Sequence, residues 1–328
     1  MSVHHLVVGP ATHGVTRLAL QLAAGESTTR VDRPLVPADV GWLLAALPSS
    51  GTHAHVTDRL FGAGPAEAAD VVTALAATPL SVTLHDLPQE SDGADSMRRR
   101  AACYAAVARA ARRVVVSSEH ERLLLEECFA LTGARADDPD VAVVPLPVDR
   151  AGDHPVGAAA TPPDVGVLGF VYPGKGHAEV LAALTDLDPD VGLLVLGAPS
   201  PGHQDVVDAL VGSARALGRR LVVTGYLPDA ELAHRLTSVA VPVAAHRHVS
   251  ASGSINSWLC AGRRPLVSRS RYTVELAGRL PGALTLYDDL PVALRRALAE
   301  PSSTWLVPGT PLGPGVAEVA GRYREVLA

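Results

Sequence analysis

Hydrophobic residues arrive along this chain in short bursts, separated by longer stretches in which apolar positions recur every three or four residues. The bursts at 5–8, 52–56, 80–84, 113–116 and 141–144 are rich in valine and leucine and short enough to predict strands. Between them the Ala- and Leu-rich segments 15–24, 65–77, 95–112 and 119–131 predict helices. The same rhythm restarts further on. Strands are predicted at 165–171, 192–196, 220–224, 239–243 and 265–268, and helices at 176–186, 203–217, 229–237 and 252–261. An alternation of this kind predicts βαβ units and parallel sheets, the pattern of an α/β protein.

The rhythm breaks once. Residues 149–163 contain three prolines and two glycines with no apolar periodicity, which marks a linker. The expected organisation is a first domain over 1–149, a linker over 150–163 and a second domain over 164–310. An amphipathic helix over 311–328 follows a proline-rich stretch. Two α/β halves of similar size imply a cleft, with ligands at the carboxyl ends of the strands.

The segment Val165-Gly-Val-Leu-Gly-Phe-Val-Tyr-Pro-Gly-Lys-Gly-His177 is the most informative. An apolar strand runs into a glycine-rich turn carrying Lys175, and Val180, Leu181 and Leu184 follow at helical spacing. Unpaired N–H groups at the helix start and a lysine in the loop make a site for a phosphorylated ligand. Gly169-x4-Gly174-Lys175 imitates a P-loop, but Gly176 stands where that motif needs a magnesium-binding hydroxyl. A second anion candidate is Ser250-Ala-Ser252-Gly253-Ser254-Ile-Asn256, where Ser250 or Ser252 caps a helix and the amides near Gly253 and Ser254 face a phosphate. An ordinary capped helix accounts for the same text. Two such loops in one domain point to a diphosphate held by both.

Composition narrows the classes. The chain of 328 residues is 48% hydrophobic and only 4% aromatic, which suits an α/β protein of two domains. A net charge of −6 gives no global attraction to nucleic acid or anionic lipid, and the clusters Arg98–Arg100, Arg112-Arg113 and Arg263-Arg264 read as solvated faces. Cys103, Cys128 and Cys260 are odd in number and far apart, as expected of reduced thiols in a cytoplasmic protein. No apolar run is long enough to span a bilayer, and Met-Ser-Val-His-His lacks a basic region and leads directly into a strand, so a signal peptide is not expected; a peripheral membrane contact is left open. His53-x-His55 with Asp58, and His246-x-His248, have metal-ligand spacing, but pairs arise readily among 13 histidines. The abundance of Ala, Arg and Val suits a GC-rich bacterial source.

Several of these stretches fall in the order of a known family. Gly-Phe-Val-Tyr-Pro-Gly-Lys-Gly-His (169–177), Thr-Gly-Tyr-Leu-Pro-Asp-Ala-Glu-Leu (224–232) and Ser252-Gly-Ser through Ala-Gly-Arg-Arg-Pro-Leu (261–266) resemble the donor-binding half of GT-B fold, family-4-type retaining glycosyltransferases. In the first half, 8–15, 82–86, 115–119 and 144–149 resemble further signposts of that family, and the last helix resembles the one that returns to the first domain. The resemblance implies two Rossmann-like domains, the first on the acceptor side and the second binding a nucleotide sugar. It assigns Lys175, with Gly174, to the donor diphosphate, and Ser252, Gly253 and Ser254 to the distal phosphate, with Asn256 nearby. His85 would lie beside the transferred sugar as the catalytic residue, and His13 and Gly14 in the loop near donor and acceptor. It implies transfer with retention to a glycan, lipid or small molecule, with no metal or other cofactor and no nucleic-acid partner.

The text departs from the family at three positions. Val249 and Ser257 stand where the family carries a glutamate pair, and Phe170 where an arginine is common; Asn256, Glu275 and Glu231 are the remaining polar candidates. Two other functions share the architecture. One is a catalytically silent GT-B subunit that binds or scaffolds a partner, which the missing glutamates favour. The other is a nucleotide-sugar epimerase, which the scarcity of cleft carboxylates opposes.

Overall fold

A computed structural model describes residues 3–149, 163–247 and 249–328. The linker expected at 150–163 therefore lies, apart from Pro163, outside the described residues, as does His248. The chain divides into two compact units: one runs to Pro147 and resumes at Pro314–Ala328, and the other spans Val148–Gly313.

The first unit is a parallel sheet of β1 (His4–Val8), β2 (Ser27–Val31), β3 (Thr52–Val56), β4 (Leu80–Leu84), β5 (Arg113–Val116) and β6 (Val141–Val143), in the order β2-β1-β3-β4-β5-β6. Its helices are α1 (Gly14–Leu22), α2 (Val40–Ala46), α3 (Pro65–Leu75), α4 (Ala94–Ala110) and α5 (Glu119–Leu131). The edge strand β2 and helix α2 were not anticipated. β2 reads Ser-Thr-Thr-Arg-Val, largely solvated, so it shows no apolar burst.

Side chains on a strand alternate between the two faces of its sheet, and this decides how the first unit is built. Ala54 and Val56 of β3 join a core with Val71, Leu75, Tyr104 and Leu125. His53 and His55 turn to the opposite face. There Leu22 of α1 packs with Val115, Val144 and two residues of the C-terminal helix, Val319 and Tyr323.

The second unit contains β7 (Val165–Leu168), α6 (His177–Ala183), β8 (Leu193–Leu196), α7 (Gln204–Ala216), β9 (Leu221–Val223), α8 (Asp229–Ser238) and β10 (Val241–Ala244). α9 (Gly253–Cys260), β11 (Leu266–Ser268), α10 (Arg271–Arg279), β12 (Thr285–Tyr287) and α11 (Leu290–Ala299) complete it. Its strands are parallel in the order β12-β11-β10-β7-β8-β9, so the chain reverses direction across the sheet between β7 and β10. That reversal leaves the loops after β7 and β10 diverging at the strand ends, where open α/β sheets bind ligands.

The strand predicted over 165–171 ends at Leu168, because Gly169 takes φ +115° and turns the backbone; Val171 makes only an isolated bridge to Pro199. Helix α12 (Val316–Leu327) belongs to the first unit, where it packs against α1.

Arg263 corrects the reading of Arg263-Arg264 as a solvated face. It is fully buried, donates to the carbonyls of Leu236, Val239, Ala240 and Thr304, and lies 4.2 Å from the Trp305 ring centroid. Burial pushes its guanidinium down to about 10. A run of charges shows its count in the sequence but not which member turns inward.

Candidate functional site

In the second unit the predicted anion residues converge at the reversal point. Lys175 is buried at 6% exposure, with Nζ 2.7 Å from His246 Nε2 and 3.2 Å from Ser254 Oγ. The two hydroxyls of Ser252 and Ser254 are 3.0 Å apart. Ser252 is the residue that caps α9, accepting from the Ile255 amide at 3.3 Å. Gly253 is the first residue of α9, and Asn256 is buried on its first turn.

Glycine is needed in this loop for a steric reason. At Gly176, φ is +93° and a Cβ would stand 2.0 Å from the Ala245 carbonyl oxygen, so a side chain would push the β7 and β10 loops apart. Gly174 also has positive φ, +92°, but opens onto free space.

Desolvation makes this amine unusual. Burial pushes Lys175 down to about 7, and no carboxylate among the described residues offsets it. Burial, then the Lys175 charge and His177, hold the His246 imidazole well below the usual histidine range, so His246 is neutral and accepts from the amine. A buried amine beside serine hydroxyls and a helix start is complementary to an anion, whose charge would hold the lysine protonated. In the sequence His246 stands only as half of a metal-spaced pair. Its actual partner is 71 residues away in sequence, so local spacing carried no signal of it.

The departures are visible in the structure. Val249 is part of an apolar cluster with Ile255, Leu259 and Tyr272, and the Ser257 hydroxyl donates back to the Gly253 carbonyl at 2.9 Å. Neither presents an acceptor carboxylate. Phe170 stands half exposed in the β7 loop, and Glu231 lies on the exposed face of α8, 3.7 Å from Arg235.

In the first unit, His85 follows β4 directly and is buried. Its Nε2 is 2.9 Å from His55 Nδ1, and the two rings are nearly coplanar, at 18°. His5 stands opposite His53 in the β1–β3 register, and the ring centroids of His53 and His55 are 5.1 Å apart. His53 Nε2 meets Thr83 Oγ1 at 2.9 Å, and that hydroxyl meets the Tyr323 hydroxyl at 3.0 Å. The result is a buried column of imidazoles ending on the C-terminal helix.

Burial holds all of these rings neutral. It pushes His5 down to about 4 and, with the nearby His13, pushes His85 down to about 3; His53 and His55 fall well below the usual range. His13 caps the start of α1 with its backbone, is itself lowered by burial, and is close enough to His85 to act on its charge; Gly14 opens the helix. Among the described residues, no group of three His, Cys, Asp or Glu side chains is arranged to hold a metal.

No local pattern in the sequence marks what fixes the His85 turn. Arg100, read as part of a solvated cluster, is turned inward. Its Nε donates to Asp58 at 2.9 Å, its Nη2 to Asp86 Oδ2 at 3.0 Å, and its Nη1 to Asp92. Tyr104, one helical turn on, donates to the His85 carbonyl at 2.6 Å. Asp86 is the one non-glycine residue with positive φ, +55°, among those described, a conformation aspartate tolerates better than most. Helix α4 thus clamps the turn that aims His85.

No protein-family model matches the sequence, nor does any curated protein. Solved structures do match in three dimensions. HepE of Anabaena, crystallised with UDP and glucose, superposes with a TM-score of 0.74 at 16% identity, covering 100% of this chain and 99% of that one. Sucrose-phosphate synthase of Thermosynechococcus elongatus gives 0.68 at 15% identity, covering 99% and 96%. The lipopolysaccharide outer core galactosyltransferase WaaB gives 0.54 at 11%, covering 99% and 95%. At such identities the likeness speaks for architecture, and this chain has the GT-B fold, with two parallel six-stranded Rossmann-like sheets and a C-terminal helix packed on the first.

Proposed function

We propose that the protein is a retaining glycosyltransferase that moves a sugar from a nucleoside-diphosphate donor to an acceptor hydroxyl. The observation that carries this reading is the buried Lys175 amine, held by His246 and Ser254 beside the Ser252 cap, where the second sheet reverses. A diphosphate satisfies what that site lacks, a counter-charge. UDP is the first nucleotide to try, because structures of the similar HepE hold UDP and UDP-glucose. The three cysteines are unpaired, which suits a reducing cytoplasm.

In this reading the bond between the anomeric carbon and the diphosphate oxygen breaks as the bond to the acceptor oxygen forms on the same face. Lys175, with Gly174 beside it, and the amides near Ser252, Gly253 and Ser254 stabilise the charge growing on the departing diphosphate. Asn256 supports that helix end. The acceptor proton passes to the leaving phosphate oxygen, so no strongly basic side chain is required. His85, neutral and clamped, meets the transferred sugar, with His13 and Gly14 in the adjoining loop.

Calorimetric titration with UDP and GDP tests this. Micromolar binding of one nucleotide by the wild type, weakened at least tenfold in Lys175→Ala, is expected; binding unchanged by the substitution would overturn the donor site. A second reading, a silent subunit that binds nucleotide without turnover, is favoured by Val249 and Ser257. Hydrolysis of the nucleotide sugar without acceptor separates the two, since a silent subunit releases no nucleotide.

A further inference from the structure

We infer that His55 is a positioning residue that sets the tautomer of His85, so that His85 presents a proton on Nδ1 and acts as a neutral hydrogen-bond donor to its ligand. The inference builds on the reading of His85 as a sugar-contacting group. It starts from one contact, His55 Nδ1 to His85 Nε2 at 2.9 Å with the rings almost coplanar. Two neutral imidazoles sharing one such contact have only two arrangements, because one nitrogen must carry the proton and the other must accept it.

The surroundings of His55 choose between them. Its other nitrogen, Nε2, is buried and has no hydrogen-bond partner among the described residues. If His85 donated from Nε2, His55 would accept at Nδ1 and keep its own proton on Nε2, leaving a buried N–H with no acceptor. Orphaned buried donors are rarer in folded proteins than under-used acceptors. If His55 donates from Nδ1, only a lone pair is left bare. His85 then accepts at Nε2 and carries its proton on Nδ1.

The Nδ1 of His85 makes no hydrogen bond to a described residue and is not among the fully buried polar atoms. It is the ring atom open to a ligand. A donor there suits an oxygen acceptor, a sugar hydroxyl or ring oxygen, and cannot serve as a general base. The rest of the column holds His55 in place, since Tyr323 packs 5.7 Å from its ring and 5.3 Å from that of His53.

Long-range 1H–15N correlation spectra of the ligand-free, 15N-labelled full chain at pH 7 read the tautomers directly, with His55→Phe, His55→Asn and His85→Gln for assignment and test. Nδ1-protonated patterns for both His55 and His85 are expected in the wild type. In His55→Phe, His85 should revert to the Nε2-protonated form usual for histidine in water. In His55→Asn, whose amide N–H reaches the place of Nδ1–H, it should keep the Nδ1 form. An Nε2-protonated His85 in the wild type would overturn the inference, and so would a tautomer unmoved by His55→Phe.

These spectra need no turnover, so they stand or fall apart from the glycosyltransferase reading. Once a donor sugar is known, kcat should fall about tenfold in His55→Phe with KM little changed, and recover in His55→Asn. A shifted tautomer with unchanged kcat would show that the His85 proton does not serve the reaction.

Discussion

The two units of this protein rest on the same scaffold, a six-stranded parallel sheet between helices, and load it with opposite chemistry. In the first unit the central strands line up buried imidazoles along one face, with the Thr83 hydroxyl among them, and burial keeps the rings uncharged. In the second unit a single amine is buried at the point of reversal, with hydroxyls and a helix start around it. The first arrangement can offer directed hydrogen bonds without net charge. The second is complementary to an anion. A Rossmann-like sheet supplies the place, and the side chains on its loops and strand ends decide the ligand.

Acid should separate the units most strongly. A histidine whose folded pKa is lowered is neutral when folded and charged when unfolded, so its contribution is complete above about pH 6.5 and is lost as the pH falls towards the folded value. For His5 and His85 that window runs from about 6.5 down to about 4 and about 3. Each such group destabilises the fold by about 1.4 kcal/mol per pH unit within its window. Several together should loosen the first unit by pH 5. Hydrogen exchange should show β3 and α12 opening before β7 and β10, although His177, lowered to about 4, and His246 add a smaller loss to the second unit.

Arg263 reverses the comparison. Its removal strands carbonyls of Leu236, Val239, Ala240 and Thr304 in the second unit, so Arg263→Ala should cost about 3 kcal/mol or more, seen as a lowered unfolding midpoint. Exchange in the first unit should be unchanged.

The amine predicts a pH effect on binding. Empty, Lys175 titrates at about 7, and an anion beside it raises that value. Above pH 7 binding must therefore take up a proton, and UDP affinity should fall by up to about tenfold per pH unit. Calorimetry at pH 8 in two buffers of different ionisation enthalpy measures that proton. Equal heats in both would place the charge elsewhere.

The smallest effects are single hydrogen bonds. Tyr323→Phe removes the Thr83 contact and should lower stability by about 1 kcal/mol, through the first unit alone. Ser252→Ala removes the cap of α9 and should lose about 1 kcal/mol of stability as well as weakening UDP binding. Chemical denaturation of each variant checks the pair.

Strands in the interior of each sheet were legible because burial on both faces demands an uninterrupted apolar burst, as in Val165–Leu168 or Leu80–Leu84. The two strands that were missed, β2 and β12, are sheet edges. β2 is mostly solvated, and β12 is only three residues long, so neither needed such a burst. Helices α2, α10 and α11 were missed too. α10 buries only Tyr272, Thr273 and Leu276, and α11 carries a proline in its first turn, so neither shows a long apolar stripe.

Lys175, Ser252 and Ser254 stand out in the sequence as candidates because a strand, a glycine turn and a capped helix are contiguous there, and backbone geometry over so short a span follows from residue type. Their meeting could not be read. His246, Arg100 and Tyr104 act on partners far along the chain, and the neutral state of the histidine column depends on which strands lie side by side. Local sequence determined the α/β alternation, the turns and the candidate anion loops, because sterics and apolar periodicity act over a few residues. Only the tertiary structure decided which polar groups are stripped of water and which partner each one finds, because desolvation and hydrogen-bond pairing belong to the packed sheet rather than to any one segment.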